Sequence, residues 1–262
     1  MEVQKGRVVG GNGRNCTFEF RCFVEPGQSQ FHGGMLGQEV AIGGACPFGA
    51  FSGMMSVDFY RNLPVSLTII VVVITAIVSF LAWQQPTLMS RLILWSPAIS
   101  RNKQYDRLVT YGFIHADGMH LFFNMFTLYF FGRVVEHLFG ALGFVVFYLA
   151  ALVVSVLPSY LSHRNDASYR SLGASGAVSA CLFAFIVVAP WEKIYLYGAI
   201  GIPAIIYAVL YVAYSIWMDR RGQDNVNHSA HLWGAGFGML AVLLAVPGAA
   251  SHFLAVLAHP GG

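Results

Sequence analysis

The chain has 262 residues, 56% of them hydrophobic and 10% charged, with a mean hydropathy of +0.62. A soluble domain carries about 25% charged residues, so this composition cannot coat a water-facing surface, and long apolar runs recur as a bilayer requires. The formal net charge of +3 comes without a basic block, which excludes a nucleic-acid partner.

The expected class is an all-α polytopic membrane protein. Its four cysteines, Cys16, Cys22, Cys46 and Cys181, form no Cys-x-x-Cys pair and no Cys/His ligand group. Residues 1–55 stand apart: they are glycine-rich, show no sustained period, and lack the apolar core of a signal peptide. They read as a flexible or loosely structured tail. Met54 or Met55, just ahead of the first span, is an alternative translation start, which a mature N-terminus at residue 1 would exclude.

Residues 56–250 read as one membrane domain of six spans and 251–262 as a short C-terminal tail. The first span covers 65–83. A long connection, 84–119, holds an amphipathic patch at 88–95 suited to the membrane interface. The second span, 120–138, is polar for a bilayer segment, with His120, Asn124, Arg133, Glu136 and His137. A short turn at Gly140-Ala141 leads to the third, 142–161. The fourth, 174–189, is short for a crossing of about 20 residues, so it begins below the membrane surface and its preceding loop dips in. The fifth covers 194–217, with Gly201 and Pro203 placed to kink it, and the sixth 230–246. Lysine and arginine divide nearly evenly between the two sides, so charge sets no orientation.

Ser175 opens the fourth span in Gly173-Ala174-Ser175-Gly176. Small residues most often serve helix packing in bilayers, and alone the serine reads that way. Ala230, Gly234 and Gly238 repeat every four residues in the sixth span, beside His231. Packing this small face against that of the fourth span would bring His231 to Ser175, and a histidine beside a serine makes an oxygen nucleophile. His120 and Asn124, four apart on one helix face, can donate to an oxyanion, as can the Ser175 backbone N–H at its helix start. No carboxylate is placed to complete a triad, so the constellation is a dyad. Other intramembrane chemistries fail. There is no His-Glu-x-x-His; Tyr105-Asp106 lies in a polar loop without a Gly-x-Gly-Asp partner; and His115 with His120 lacks further metal ligands.

With these motifs in view, the chain resembles the rhomboid intramembrane serine proteases over about residues 63–246. Gly173-Ala-Ser-Gly176 is similar to the family's nucleophile motif, and Ala230-His-x-x-Gly234-x-x-x-Gly238 to that of its last core helix. The resemblance implies Ser175 as nucleophile, His231 as base, His120 and Asn124 as oxyanion-stabilising residues, and His115 as structural. Arg107 with Thr110 matches the end of the first-loop motif, and Glu136 the acidic residue tying the second helix to that loop. Two positions depart from the pattern. Asp106 precedes Arg107 where the family usually has tryptophan. Ser179 stands where many members place an aromatic ring against the histidine, which implies a base oriented by a hydroxyl or water.

The implied fold is a six-helix rhomboid-like bundle with a long amphipathic first loop. The implied function is an intramembrane serine endopeptidase acting on membrane-protein segments in the lipid bilayer, without metal or organic cofactor. A gate is expected from the fifth span and the loop before the sixth helix, with Gly198, Gly201 and Pro203 permitting it to bend. The resemblance implies an active site facing the extracytoplasmic side, in what reads best as a bacterial inner membrane. Two alternatives stay open: a catalytically silent relative that binds membrane clients, and a small transporter with a polar path.

Overall fold

The computed structural model describes residues 5–9, 15–19, 66–196, 199–222 and 226–259. The chain divides into two units, Met1–Pro47 and Phe48–Gly262. In the first, β1 (Lys5–Val9) and β2 (Asn15–Glu19) pair antiparallel, Lys5 opposite Glu19. Met54 and Met55 lie outside the described residues, as does most of the expected tail.

The second unit is helical. α1 (Leu67–Gln84) is followed by a connection with short elements of its own: α2 (Pro86–Leu92), β3 (Leu94–Trp95), α3 (Ser96–Asn102) and α4 (Arg107–Thr110). α5 (Gly118–Ser162) comes next, then β4 (Arg170–Ser171), α6 (Ser175–Val188), the hairpin β5 (Lys193–Leu196) and β6 (Ile200–Pro203), α7 (Ala204–Arg221), α8 (His228–Ala245) and α9 (Ala249–Ala258). Among the described residues α1, α5 and α8 are long and apolar enough to cross a membrane. The protein is an integral membrane protein of the all-α polytopic class.

α5 is two helices. Gly140, at φ 73° and ψ 171°, leaves helical geometry, a conformation glycine adopts without a Cβ penalty. A straight helix of this length would extend about 67 Å. His120 near its start and Ser159 near its end nevertheless line one cavity, so the halves fold back antiparallel. The fifth span is shorter than expected. Residues 194–203 form most of a β-hairpin and the helix begins at Ala204, so Gly201 and Pro203 lie in a strand instead of kinking a helix. Gly198 is outside the described residues.

α6 sits at the centre. Every residue after Ser175 in it is buried, enclosed by both halves of α5 and by α8. At its far end α9 packs across: His252 Nε2 donates to the Val188 carbonyl at 3.0 Å and Trp191 Nε1 to that of Val256 at 2.9 Å.

Glu136 does not tie the second span to the first loop. Its carboxylate caps the start of α1, accepting from Leu67 N–H at 2.7 Å, Thr68 N–H at 3.1 Å, Thr68 Oγ1 at 2.7 Å and the Ser66 hydroxyl. The reason is topological: α5's first half runs away from the loop, and one carboxylate satisfies orphan N–H groups at a positive helix end. Glu136→Ala is expected to lower stability by about 3 kcal/mol, since hydrogen bonds to a charged acceptor are lost and N–H groups are left unmet, with Glu136→Gln between it and wild type. Thermal unfolding in detergent reads both, and an unchanged Tm for Glu136→Ala would remove the cap from the account.

Candidate active site

The loop ahead of α6 is fixed from below. Gly173 takes φ +110°, a region open to glycine, and its N–H donates to Tyr111 O at 2.9 Å. A Cβ there would also lie 2.7 Å from His120 Cε1. The next N–H, of Ala174, donates to His115 Nε2 at 3.3 Å. That assigns the tautomer. With Nε2 accepting, Nδ1 carries the proton and faces Ser79 Oγ at 3.1 Å, whose own hydroxyl donates to Phe113 O at 3.2 Å. Trp83 Nε1 donates to the His115 carbonyl at 2.7 Å. His115, fully buried, is thus a strut between α1 and the residue before Ser175.

Glycine sets the distance between α6 and α8. A Cβ at Gly234 would overlap the Gly176 carbonyl, one at Gly238 the Ala180 carbonyl, and one at Gly176 the Ser155 hydroxyl on α5. The helices therefore touch backbone to backbone, as small-residue faces in bilayers permit. His231 sits three residues before Gly234, and its Nε2 lies 2.7 Å from Ser175 Oγ. For the hydroxyl to donate, Nε2 is unprotonated and Nδ1 holds the ring proton.

His120 and Asn124 stand one turn apart at the start of α5, whose first N–H groups include one capped by Asp117: His120 N–H donates to Asp117 Oδ1 at 2.8 Å. Asn124 is buried and gives one amide hydrogen to the His120 carbonyl at 2.9 Å, which leaves its second N–H in its donor inventory. Ser175 and His231 line two cavities. The larger, about 1170 Å³, also holds His120, Tyr169 and Asn227; the smaller, about 240 Å³, holds Asn124, Ser179 and Tyr211. Among the described residues no group of three or more His, Cys, Asp or Glu side chains is arranged to hold a metal.

Both departures from the family pattern have structural answers. Asp106 pairs with Arg91 of α2 at 2.7 Å, and this hydrogen bond holds its carboxyl below the usual carboxylate range. Arg107 remains buried, donating from Nε to Gln104 Oε1 at 2.7 Å and from Nη1 to the Ser90 and Ile93 carbonyls at 2.8 and 2.6 Å. Thr110 Oγ1 donates to Leu92 O at 3.0 Å. The loop is seated by α4 gripping the carbonyls around α2. At Ser179 the structure places a phenol from another helix nearby. Ser179 Oγ hydrogen-bonds Tyr211 OH at 2.6 Å, and the Tyr211 ring lies stacked toward His231, centroids 6.3 Å apart at 29°. The ring comes from α7.

Sequence reasoning also missed Asn227. It caps α8, accepting from Ala230 N–H at 3.0 Å, receives Ser159 Oγ at 3.0 Å, and donates to Tyr169 OH at 3.0 Å. An asparagine just ahead of an apolar helix is an N-cap signal, so this residue was within reach of the sequence.

The fold is that of one class of membrane protein. The family model for the Rhomboid domain matches residues 102–248, and the chain belongs to the rhomboid family. It is similar to RHOMBOID-like protein 12, mitochondrial, of Arabidopsis thaliana, 34% identical over 51% of this chain and 44% of that one. It is similar also to Rhomboid protease GluP of Bacillus subtilis, 30% identical over 56% of this chain and 28% of the relative. A third relative is Presenilin-associated rhomboid-like protein, mitochondrial, of Mus musculus, 29% identical over 61% and 44%. The chain thus spans less than half the length of these three relatives. Their names divide between mitochondria and a bacterium, which gives the expected bacterial inner membrane no support over an organelle.

Proposed function

We propose that the protein is an intramembrane serine endopeptidase that hydrolyses a peptide bond in or near a transmembrane segment of a membrane-protein substrate. The observation that carries this reading is the 2.7 Å approach of Ser175 Oγ to His231 Nε2, made between two helices packed too closely to accept a Cβ. Ser175 Oγ attacks the scissile carbonyl as its proton passes to His231 Nε2. The oxyanion takes hydrogen bonds from the Ser175 N–H, His120 and Asn124. The protonated imidazole then gives its proton to the leaving amine, freeing the first product and leaving an acyl ester on Ser175. A water from the larger cavity, deprotonated by the same nitrogen, attacks that ester and regenerates the hydroxyl. Asp117 is engaged as a helix cap, and the reading is a dyad. His115, Arg107 and the glycines at 173, 176, 234 and 238 act by holding the reacting groups in place.

Phe123 and Asn124 of α5 and Tyr207 and Tyr211 of α7 line the smaller cavity, and a substrate segment reaches Ser175 between these helices, with α7 as the gate. Helix-breaking or small residues near the cut favour the extended chain that attack requires. This reading makes the side on which the larger cavity opens the extracytoplasmic side.

The test is cleavage of a model single-span substrate in liposomes by wild type and Ser175→Ala. Cleavage by wild type and none by the variant is expected. Cleavage surviving Ser175→Ala would overturn the reading, and capture of substrate by a wild type that does not cut it would favour a silent client-binding relative.

A further inference from the structure

α7 is weakly held. Among its described residues only Ala204, Ala208 and Ser215 are buried, while Val209, Leu210 and Tyr214 face outward. Tyr207 and Tyr211, one turn apart, share its inner face, and they and the exposed Tyr214 each meet another ring. Tyr207 and Tyr211 stack at 5.9 Å and 29°; Tyr211 lies over His231 at 6.3 Å and 29°; Tyr214 presents an edge to His228 at 5.7 Å. His228 in turn meets His231 edge-on at 5.7 Å. These separations fall in the range of favourable offset and T-shaped pairs. Tyr211 is also tied to the nucleophile's own helix through Ser179, at 2.6 Å.

We propose that Tyr211 is the positioning residue for His231, so that the outer helix α7 sets the angle at which the base meets Ser175. The inference rests on the dyad reading for its consequence and on ring contacts for its geometry. An imidazole on a helix flank has two side-chain dihedrals to be held, and in the setting found Nε2 lies 2.7 Å from Ser175 Oγ. His228 stands edge-on to the ring and Tyr211 stacks toward it with a wide offset, while Ser179 holds that phenol. When α7 moves outward the ring cover leaves with it, and the dyad is aligned only while α7 is seated. Ser179 is small because the space beside it is already filled from α7.

That last point gives a sign-reversing test. In the wild-type background Ser179→Tyr places a second ring where the Tyr211 phenol sits, and kcat for the model substrate is expected to fall about tenfold or more through overpacking. Tyr211→Leu removes the ring and is expected to lower kcat by about 10- to 100-fold, the scale of a misplaced catalytic group, with KM changed little. Tyr211→Phe keeps the ring and retains activity within about fivefold, the worth of one neutral hydrogen bond. The double variant Tyr211→Leu with Ser179→Tyr supplies the ring from α6 and recovers at least half of the lost activity on a logarithmic scale.

Tyr211→Leu with wild-type kcat, or a double variant worse than both singles, would overturn the proposal, as would Tyr211→Phe falling as far as Tyr211→Leu. A thermal midpoint measured alongside separates misfolding from misalignment. The ¹⁵N resonances of the His231 ring, recorded for wild type and Tyr211→Leu, shift if the ring contact exists, whether or not the protein cleaves. Unchanged resonances sink the inference, whereas an inactive wild type with shifted resonances sinks only the protease reading.

Discussion

Gly234→Ala is expected to abolish cleavage while its neighbour Gly236→Ala is silent. The added methyl at 234 would overlap the Gly176 carbonyl, a backbone atom that no rotamer change can move, whereas a Cβ at 236 meets nothing within 4 Å. α8 must shift away from α6, and His231, three residues from the contact, shifts with it from a hydroxyl now at 2.7 Å. Displacement by about 1 Å costs on the order of 100-fold in rate, and overpacking of a tight contact costs about 2 kcal/mol. Gly238→Ala, against the Ala180 carbonyl, behaves like Gly234→Ala in stability and less severely in activity, because it lies a further turn from the histidine. Cleavage rates and detergent Tm values of the three variants check the series. A Gly234→Ala protein with normal activity would mean that the helices approach less closely than described.

The second large effect is non-additive. If the proposed protease reading holds, Ser175→Ala and His231→Ala are each expected to lower cleavage by at least about 10⁴-fold, with the double variant no slower than either, because a nucleophile and its base act as one unit. Active-site labelling by a fluorophosphonate follows the same pattern, absent without Ser175 and slowed by a comparable factor without His231. If His231→Ala retained a substantial part of the rate, another group would be taking the Ser175 proton.

Much of the architecture was legible because the bilayer imposes strong rules. Apolar runs, the turn at Gly140 and the shortness of the segment opened by Ser175 all follow from length and hydropathy. So does the close approach of α6 and α8, since a four-residue repeat of small side chains has few other uses in a membrane. The hairpin at 193–203 was not legible. Ile194, Leu196, Ile200 and Ile202 supply hydropathy that suits a strand or a helix, and apolar content alone does not separate them; Gly201 and Pro203 suit a kinked helix as well as the start of a new one. Glu136 was placed at the far end of its helix, yet its partner depended on which neighbouring helix starts there. Tyr211 was hidden for a related reason: a stripe of tyrosines on an apolar helix does not say which helix it faces. The empty place at Ser179 was visible, and what fills it was not.

The burial of α6 bears on how the protein is made. At about 21 Å this helix is shorter than the hydrocarbon layer of about 30 Å, and beyond Ser175 its surface is enclosed by protein. In the finished fold lipid is not its solvent. Its surroundings are α5, already inserted when it emerges, and α8, synthesised after it. Until α8 arrives, the glycine and alanine face that should meet Gly234 and Gly238 has no wall, and the serine has no histidine. Completion of the core and formation of the contact between Ser175 and His231 are therefore one event in assembly.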